Sequence, residues 1–456
     1  MDEQLWSKAH RNHDFLLNYY VDDSRRPVGR GTLEHYNTVI ALLTYATRGR
    51  QLLKGDPGSG KTSLATLVSA LFGGVPPNVA SHLMVKGNPG ITSEDITGRP
   101  HYGRLSAGEE HVVWHLRHCL PFLSVDELLR IPTKKQSYLL QGVEEGLWEV
   151  MDYTIDTGAR PGYFTINPKD SGSFELTLAL QERLSVATEH VPLTWKSLAD
   201  KQEGNSRRAG LQDRTTSRAL LDIANESTLG FQEKKGRVDA LREQYRTATL
   251  EPLLGERPLD EAALAGIAAD ITAVPLSATA RDFALWLECC MNVSERFGVK
   301  RIEDEEPLDD TTADMNFAVG WTRTPLMNRA QSDMETYAKG LAWWNGASEA
   351  GVEHLQAAAI ATLNHRLVFT ERFASLHREE QRSTDLQTHL TEVLVEATAK
   401  DFDERSERYL SILEKLARRK GGENVALTTK QREMLRTERH PIMVAARRAF
   451  GVRDEP

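Results

Sequence analysis

The stretch Gly55-Asp56-Pro57-Gly58-Ser59-Gly60-Lys61-Thr62 sets glycines, a lysine and a hydroxyl at the spacing G-x-x-x-x-G-K-[ST]. Each type has a chemical reason to be there. Glycines let the backbone curl round an anion, so that successive N–H groups point at it. The Lys61 ammonium is placed to reach the β- and γ-phosphates of a nucleotide, and the Thr62 hydroxyl to ligate Mg²⁺. Residues 50–54 read as a short strand running into the loop, and residues 62–72 as a helix leaving it, which puts the phosphates at a helix N-terminus. The expected ligands are ATP and Mg²⁺, with Gly55, Asp56, Pro57, Gly58, Ser59, Gly60, Lys61, Thr62 and Ser63 around the phosphates.

Leu120-Pro121-Phe122-Leu123-Ser124-Val125 is an apolar run ending in two carboxylates, Asp126 and Glu127. A buried parallel strand releases its last residues at the C-terminal edge of its sheet, where ligands bind in open α/β folds. Asp126 is expected to hold Mg²⁺ with Thr62, and Glu127 to orient and deprotonate the attacking water. A third apolar strand, Tyr163-Phe164-Thr165-Ile166, ends in Asn167-Pro168. Asn167 is placed to bridge the γ-phosphate and that water; a ligand-free Asn-Pro turn is the competing reading.

Positioning these strand ends requires a doubly wound parallel sheet with helices on both faces. The rest of the chain divides around that need. Residues 1–27 read as an arm carrying Trp6, Phe15, Tyr19 and Tyr20, and residues 28–197 as the α/β domain. Val28-Gly29-Arg30-Gly31-Thr32 reads as the opening of a helix capped by Thr32. Residues 198–257 read as an insert or linker. Its first part, rich in Arg207, Arg208, Arg214 and Arg218, reads as a polar loop. Residues 258–370 read as a helical lid interrupted by a solvated acidic loop at 303–310, and residues 371–456 as a helical extension. Within that extension, residues 388–420 form a long amphipathic helix broken by Gly421-Gly422. His111, His115, His118 and Cys119 have partial metal-ligand spacing, but no second cluster completes four ligands, so a structural role is expected.

At 456 residues the chain has room for two or three cores. Three cysteines make no disulfide framework, which fits a reducing, cytoplasmic setting. No apolar run approaches the roughly 20 residues that a membrane span requires, and the polar N-terminus does not read as a signal peptide. A net charge of −9 disfavours a nucleic-acid surface over the whole molecule.

The order of loop, acidic strand and Asn strand resembles AAA+ ATPases, and the detail resembles the MoxR branch. The residues carrying that detail are Ser93-Glu94-Asp95-Ile96-Thr97-Gly98, then Asp126-Glu127-Leu128-Leu129-Arg130 followed by Gln136-Ser137-Tyr138-Leu139-Leu140, then Asn167-Pro168 and Glu182-Arg183-Leu184. Met327-Asn328-Arg329-Ala330 and Leu363-Asn364-His365-Arg366-Leu367 carry it into the lid. Leu129, Ile166 and Leu184 depart from the branch's usual Asn, Gln and Phe without removing a catalytic group. The resemblance implies a P-loop AAA+ domain, an all-α lid and a helical extension. It implies that Arg183 is an arginine finger acting on the neighbouring subunit's nucleotide, and that Arg329 is a sensor on the lid, with Arg323 as its rival. Arg130 sits at a position compatible with a subunit contact. Gly98–Glu110 and Gly146–Pro161 fall where two pore-lining inserts are expected, with Tyr102 and Trp148 as either packed residues or pore contacts. The implied protein is a homohexameric ring that remodels a partner protein, often one with a von Willebrand factor A domain. A nucleotide-switched scaffold in a defence or signalling complex is the alternative, and a DNA-remodelling motor a third reading.

Overall fold

In a computed structural model, residues 1–168, 172–192, 195–294, 316–381 and 385–450 are described. The acidic stretch 303–310 lies outside them. The chain forms two compact units, residues 1–273 and 274–456.

The first unit is built on five parallel strands: β1 (Arg50–Gly55), β2 (Val85–Lys86), β3 (Leu123–Asp126), β4 (Gly162–Ile166) and β5 (Val186–His190). Their spatial order is β5-β1-β4-β3-β2. The order follows from composition: Leu52, Leu53, Tyr163 and Phe164, at most 1 % exposed, need cover on both faces, so β1 and β4 take central places. Helices α1 (Glu3–Leu17), α2 (Tyr36–Ala46) and α3 (Lys61–Gly73) contribute to that cover, with every residue of α2 buried.

Two stretches differ from the sequence expectations. Residues 25–34 form a hairpin, Arg25–Val28 against Gly31–Glu34, and helix α2 starts only at Tyr36. Gly29, at φ +61, and Arg30 make the two-residue turn that such hairpins favour, so the glycines mark a reversal and not a helix start. The Arg-rich segment is likewise helical, not a loop. It gives α5 (Trp195–Arg207) and α6 (Arg214–Asn225), after α4 (Thr133–Glu144) earlier in the chain. Asp213 caps α6, accepting from Thr215 N at 2.9 Å and Thr216 N at 3.1 Å, and Leu211 and Leu220 are fully buried. α7 (Phe231–Tyr245), a π-helical turn at Arg246–Leu250 and α8 (Glu261–Ala273) complete the unit.

In the second unit, α9 (Ala278–Asn292), α10 (Asn328–Trp344), α11 (Val352–Leu363), the 35-residue α12 (Leu386–Lys420) and α13 (Pro441–Ala449) pack together. Trp286 stacks on Tyr409 at 5.7 Å, and its Nε1 donates to Asp401 at 2.9 Å. The motif Leu363–Leu367 is a clamp: buried Arg366 pairs with Asp333 of α10 at 2.5 Å and donates to the Thr362 carbonyl at 3.2 Å.

Candidate functional site

β1, β3 and β4 run in parallel, so the residues after each strand arrive at one edge of the sheet. That brings the 55–62 loop, Asp126-Glu127 and Asn167 together. The loop is tight. Gly55 has φ +151, and a Cβ there would lie 2.2 Å from the His190 carbonyl oxygen at the end of β5. Gly60, at φ +93, faces the Tyr20 hydroxyl, 3.2 Å from where a Cβ would sit. Any side chain at Gly55 would collide with backbone, so the glycine is required by the close approach as well as by φ.

Lys61 is 8 % exposed, and its Nζ donates to the carbonyls of Gly55 and Asp56 at 2.7 Å each. Burial lowers its pKa, and the charges of Asp126, Asp56 and Glu127 oppose that shift. Ser59, Thr62 and Ser63 lie beside Lys61 on the loop and the first turn of α3.

Thr62 Oγ1 donates to Asp126 Oδ1 at 2.9 Å. Thr165 Oγ1 reaches the same oxygen at 2.5 Å and accepts from the Glu127 backbone N–H at 3.0 Å. A hydroxyl and a carboxylate meeting at the phosphate end of α3 are the hard oxygen donors that Mg²⁺ takes, so the residues present fit the ion. Thr165 was not among the sequence candidates. It is the residue two before Asn167, and strand alternation, which turns it to the opposite face from Ile166, was the available signal.

Glu127 adopts φ +54, uncommon for a residue with a Cβ, just beyond the end of β3. Its side chain is 53 % exposed and 3.6 Å from Arg130. Gly87 makes this geometry possible: a Cβ there would lie 2.1 Å from the Glu127 carbonyl oxygen. Asn167 follows β4 directly and is half-buried.

Arg183 is not in this group. Ser185 N donates to the Arg50 carbonyl at 2.8 Å, and His190 pairs with Gly55 in the β5–β1 register. Arg183 therefore precedes the start of β5, at the opposite edge, with β1's length, on the order of 20 Å, between it and its own loop. It pairs with Glu144 at the end of α4 at 2.5 Å and donates to the Ala179 carbonyl at 2.8 Å. Arg329 lies exposed in the first turn of α10, and Arg323 donates its backbone N–H to the Val368 carbonyl at 2.7 Å.

Each histidine of the 111–118 cluster meets a backbone carbonyl: His111 with Ser227 at 3.0 Å, His115 with Glu94 at 2.7 Å and His118 with Thr97 at 2.7 Å. Within the segment 146–161, residues 147–156 form a hairpin, Leu147–Val150 against Tyr153–Asp156. Trp148 is 1 % exposed and packs 4.4 Å from the His118 ring, so it is a core residue and no pore contact. Tyr102 is 54 % exposed and donates to Glu94 at 2.9 Å.

Residues 50–184 match the AAA domain of the dynein-related subfamily, and residues 327–387 match an AAA lid domain. With the parallel sheet and its loop, these matches define the class: an AAA+ fold with ATPase activity. A crystal structure from Cytophaga hutchinsonii, provisionally described as an ATPase, has a similar fold at TM-score 0.55 and 17 % identity, covering 87 % of this chain and 95 % of that one. A full-length MCM homolog from Methanopyrus kandleri gives TM-score 0.39 at 14 % identity, covering 80 % of this chain and 62 % of that one. No curated protein matches the sequence significantly. Among the described residues no helix is long and apolar enough to cross a membrane.

Proposed function

We propose that this ATPase is a MoxR-like remodelling motor that works as a homo-oligomeric ring, a hexamer, on a partner protein. Thr62 and Asp126 would hold Mg²⁺, which neutralises phosphate charge when bound. The loop N–H groups and Lys61 bind the phosphates. Glu127 takes the proton of the attacking water, and Asn167 orients that water against the γ-phosphate. Thr165 fixes the Asp126 carboxylate and the Glu127 backbone at once, so the two acidic side chains keep their separate tasks.

The observation that carries the ring is the place of Arg183. A guanidinium at the far edge of the sheet has no route to its own nucleotide, whereas the site of an adjoining copy could receive it. The Glu144 pair holds it in reserve. In this reading Arg329 couples the lid to the nucleotide state, and a von Willebrand factor A domain is the partner type proposed from the MoxR resemblance. Mass photometry of Glu127→Gln with and without ATP tests the proposal. ATP-dependent particles of about six subunits, with hydrolysis lowered about 10²–10⁴-fold, support it. A monomer with ATP bound leaves Arg183 without a neighbour and sinks the ring.

A further inference from the structure

The opposite edge of the sheet carries a cavity of about 560 Å³, a volume in the range that small molecules occupy. One wall is the set of segments that precede strands: Arg48 before β1, Leu120 and Pro121 before β3, and Ala159 to Pro161 before β4. The other wall is α7, its π-helical last turn and the start of α8. Five cations line the space, Arg48, Arg160, Lys235, Arg242 and Arg246, against three carboxylates, Asp239, Glu243 and Glu261.

The carboxylates are already engaged. Glu261 pairs with Arg242 and Arg246, Asp239 with Lys235 and Arg242, and Glu243 with Arg257. Those pairs lock the α7–α8 helices together and account for Arg242 and Arg246. They do not account for Arg48 or Arg160, which have no carboxylate within ion-pair distance among the described residues. Arg160 is decisive. It is 5 % exposed, its Nη1 donates to the Arg117 and Leu120 carbonyls at 3.0 Å each, and its guanidinium lies 5.6 Å from the centre of the Trp148 ring. Its Nε has no acceptor. Neutral carbonyls and a ring face compensate a buried charge only in part, and burial pushes this guanidinium down to about 10. The Tyr45 hydroxyl of α2, which also lines the cavity, is buried without a partner.

We propose that this cavity is a second ligand site, taking a small molecule with a di- or polyphosphate group whose charge neutralises Arg160 and Arg48. The site is separate from the phosphate loop, since β1 runs from one to the other. An occupant would bridge the strand starts to α7 and so act as an effector, not a substrate.

The test uses the full chain carrying Lys61→Ala, which weakens phosphate binding at the loop. Inorganic pyrophosphate and ADP, both without Mg²⁺, are titrated by calorimetry, and their effect on Tm is read in parallel. The expected result is that pyrophosphate binds and raises Tm, that Arg48→Ala weakens binding about tenfold, and that Arg160→Met abolishes it. Tighter binding of ADP identifies a nucleotide as the occupant, and equal binding identifies the phosphate group alone. Absence of binding to the Lys61→Ala chain, or binding unchanged by Arg48→Ala, overturns the proposal. Arg48 is exposed and outside the core, so it decides the matter even if Arg160→Met fails to fold. Because binding is the readout, this result stands apart from whether the ring reading holds.

Discussion

At the C-terminal edge of the sheet, Lys61 is a buried cation that donates to two loop carbonyls and feels Asp126, Asp56 and Glu127 nearby. At the opposite edge, among buried Arg160, Arg242 and Arg246, it is Arg160 that has carbonyls and an indole face but no carboxylate. The first edge collects positive φ angles at Gly55, Gly58, Gly60 and Glu127, close backbone approaches and hydroxyls that share one carboxylate oxygen. The second collects arginines: Arg48, Arg160, Arg242, Arg246 and, before the start of β5, Arg183. A parallel sheet makes its edges unlike, and this chain gathers close backbone geometry at one and arginines at the other.

The comparison can be broken from either side. Arg183→Ala should lower kcat by about 10³–10⁵-fold, as for a finger supplied by a neighbour, while fluorescence titration shows ATP affinity unchanged. A variant that hydrolyses ATP at the normal rate removes the second edge from the reaction. Thr165→Val should cost about tenfold in hydrolysis and shift the Mg²⁺ dependence, because Glu127 N–H loses its acceptor and Asp126 a donor. Thr165→Ser should restore both; if it does not, the methyl and not the hydroxyl matters.

Glu261→Gln takes the shared carboxylate from Arg242 and Arg246, each about 5 % exposed. It should destabilise the fold by about 1–3 kcal/mol in denaturant titration and leave hydrolysis per folded molecule unchanged. A further effect is in pH. Burial holds His190 neutral down to about 3 and His115 to about 4, against an ordinary 6.5. The unfolded chain takes up those protons first. Stability is therefore full above pH 6.5 and falls as pH drops from 6.5 toward 4. A Tm that is flat over that window would mean these rings are reached by water.

The meeting of the loop, the two acidic residues and Asn167 at one sheet edge was legible because parallel strands release their ends on the same side. The long helix was read as 388–420 and spans Leu386–Lys420, since its apolar residues keep helical spacing over many turns. The 25–34 hairpin was missed because Gly29 and Gly31 fit both a helix start and a turn, and only pairing across the hairpin decides. The 198–218 helices were masked by surface arginines. Glu203–Arg207 is an i,i+4 pair on an exposed face, while Leu211 and Leu220 carry the burial. The cavity at the opposite edge was invisible, because its arginines are scattered from residue 48 to 246 and only the fold gathers them.

Tyr20 lies against Gly60, and its hydroxyl is 3.2 Å from His190 Nδ1 at the end of β5. The first twenty residues thus end as a wall of the nucleotide site. A chain trimmed to start at residue 50, where the family match begins, would keep every motif and still lose that wall. Its phosphate loop would face solvent where it now faces a buried phenol, so a weak or inactive fragment would report on the missing arm and helix α2 and not on the motifs.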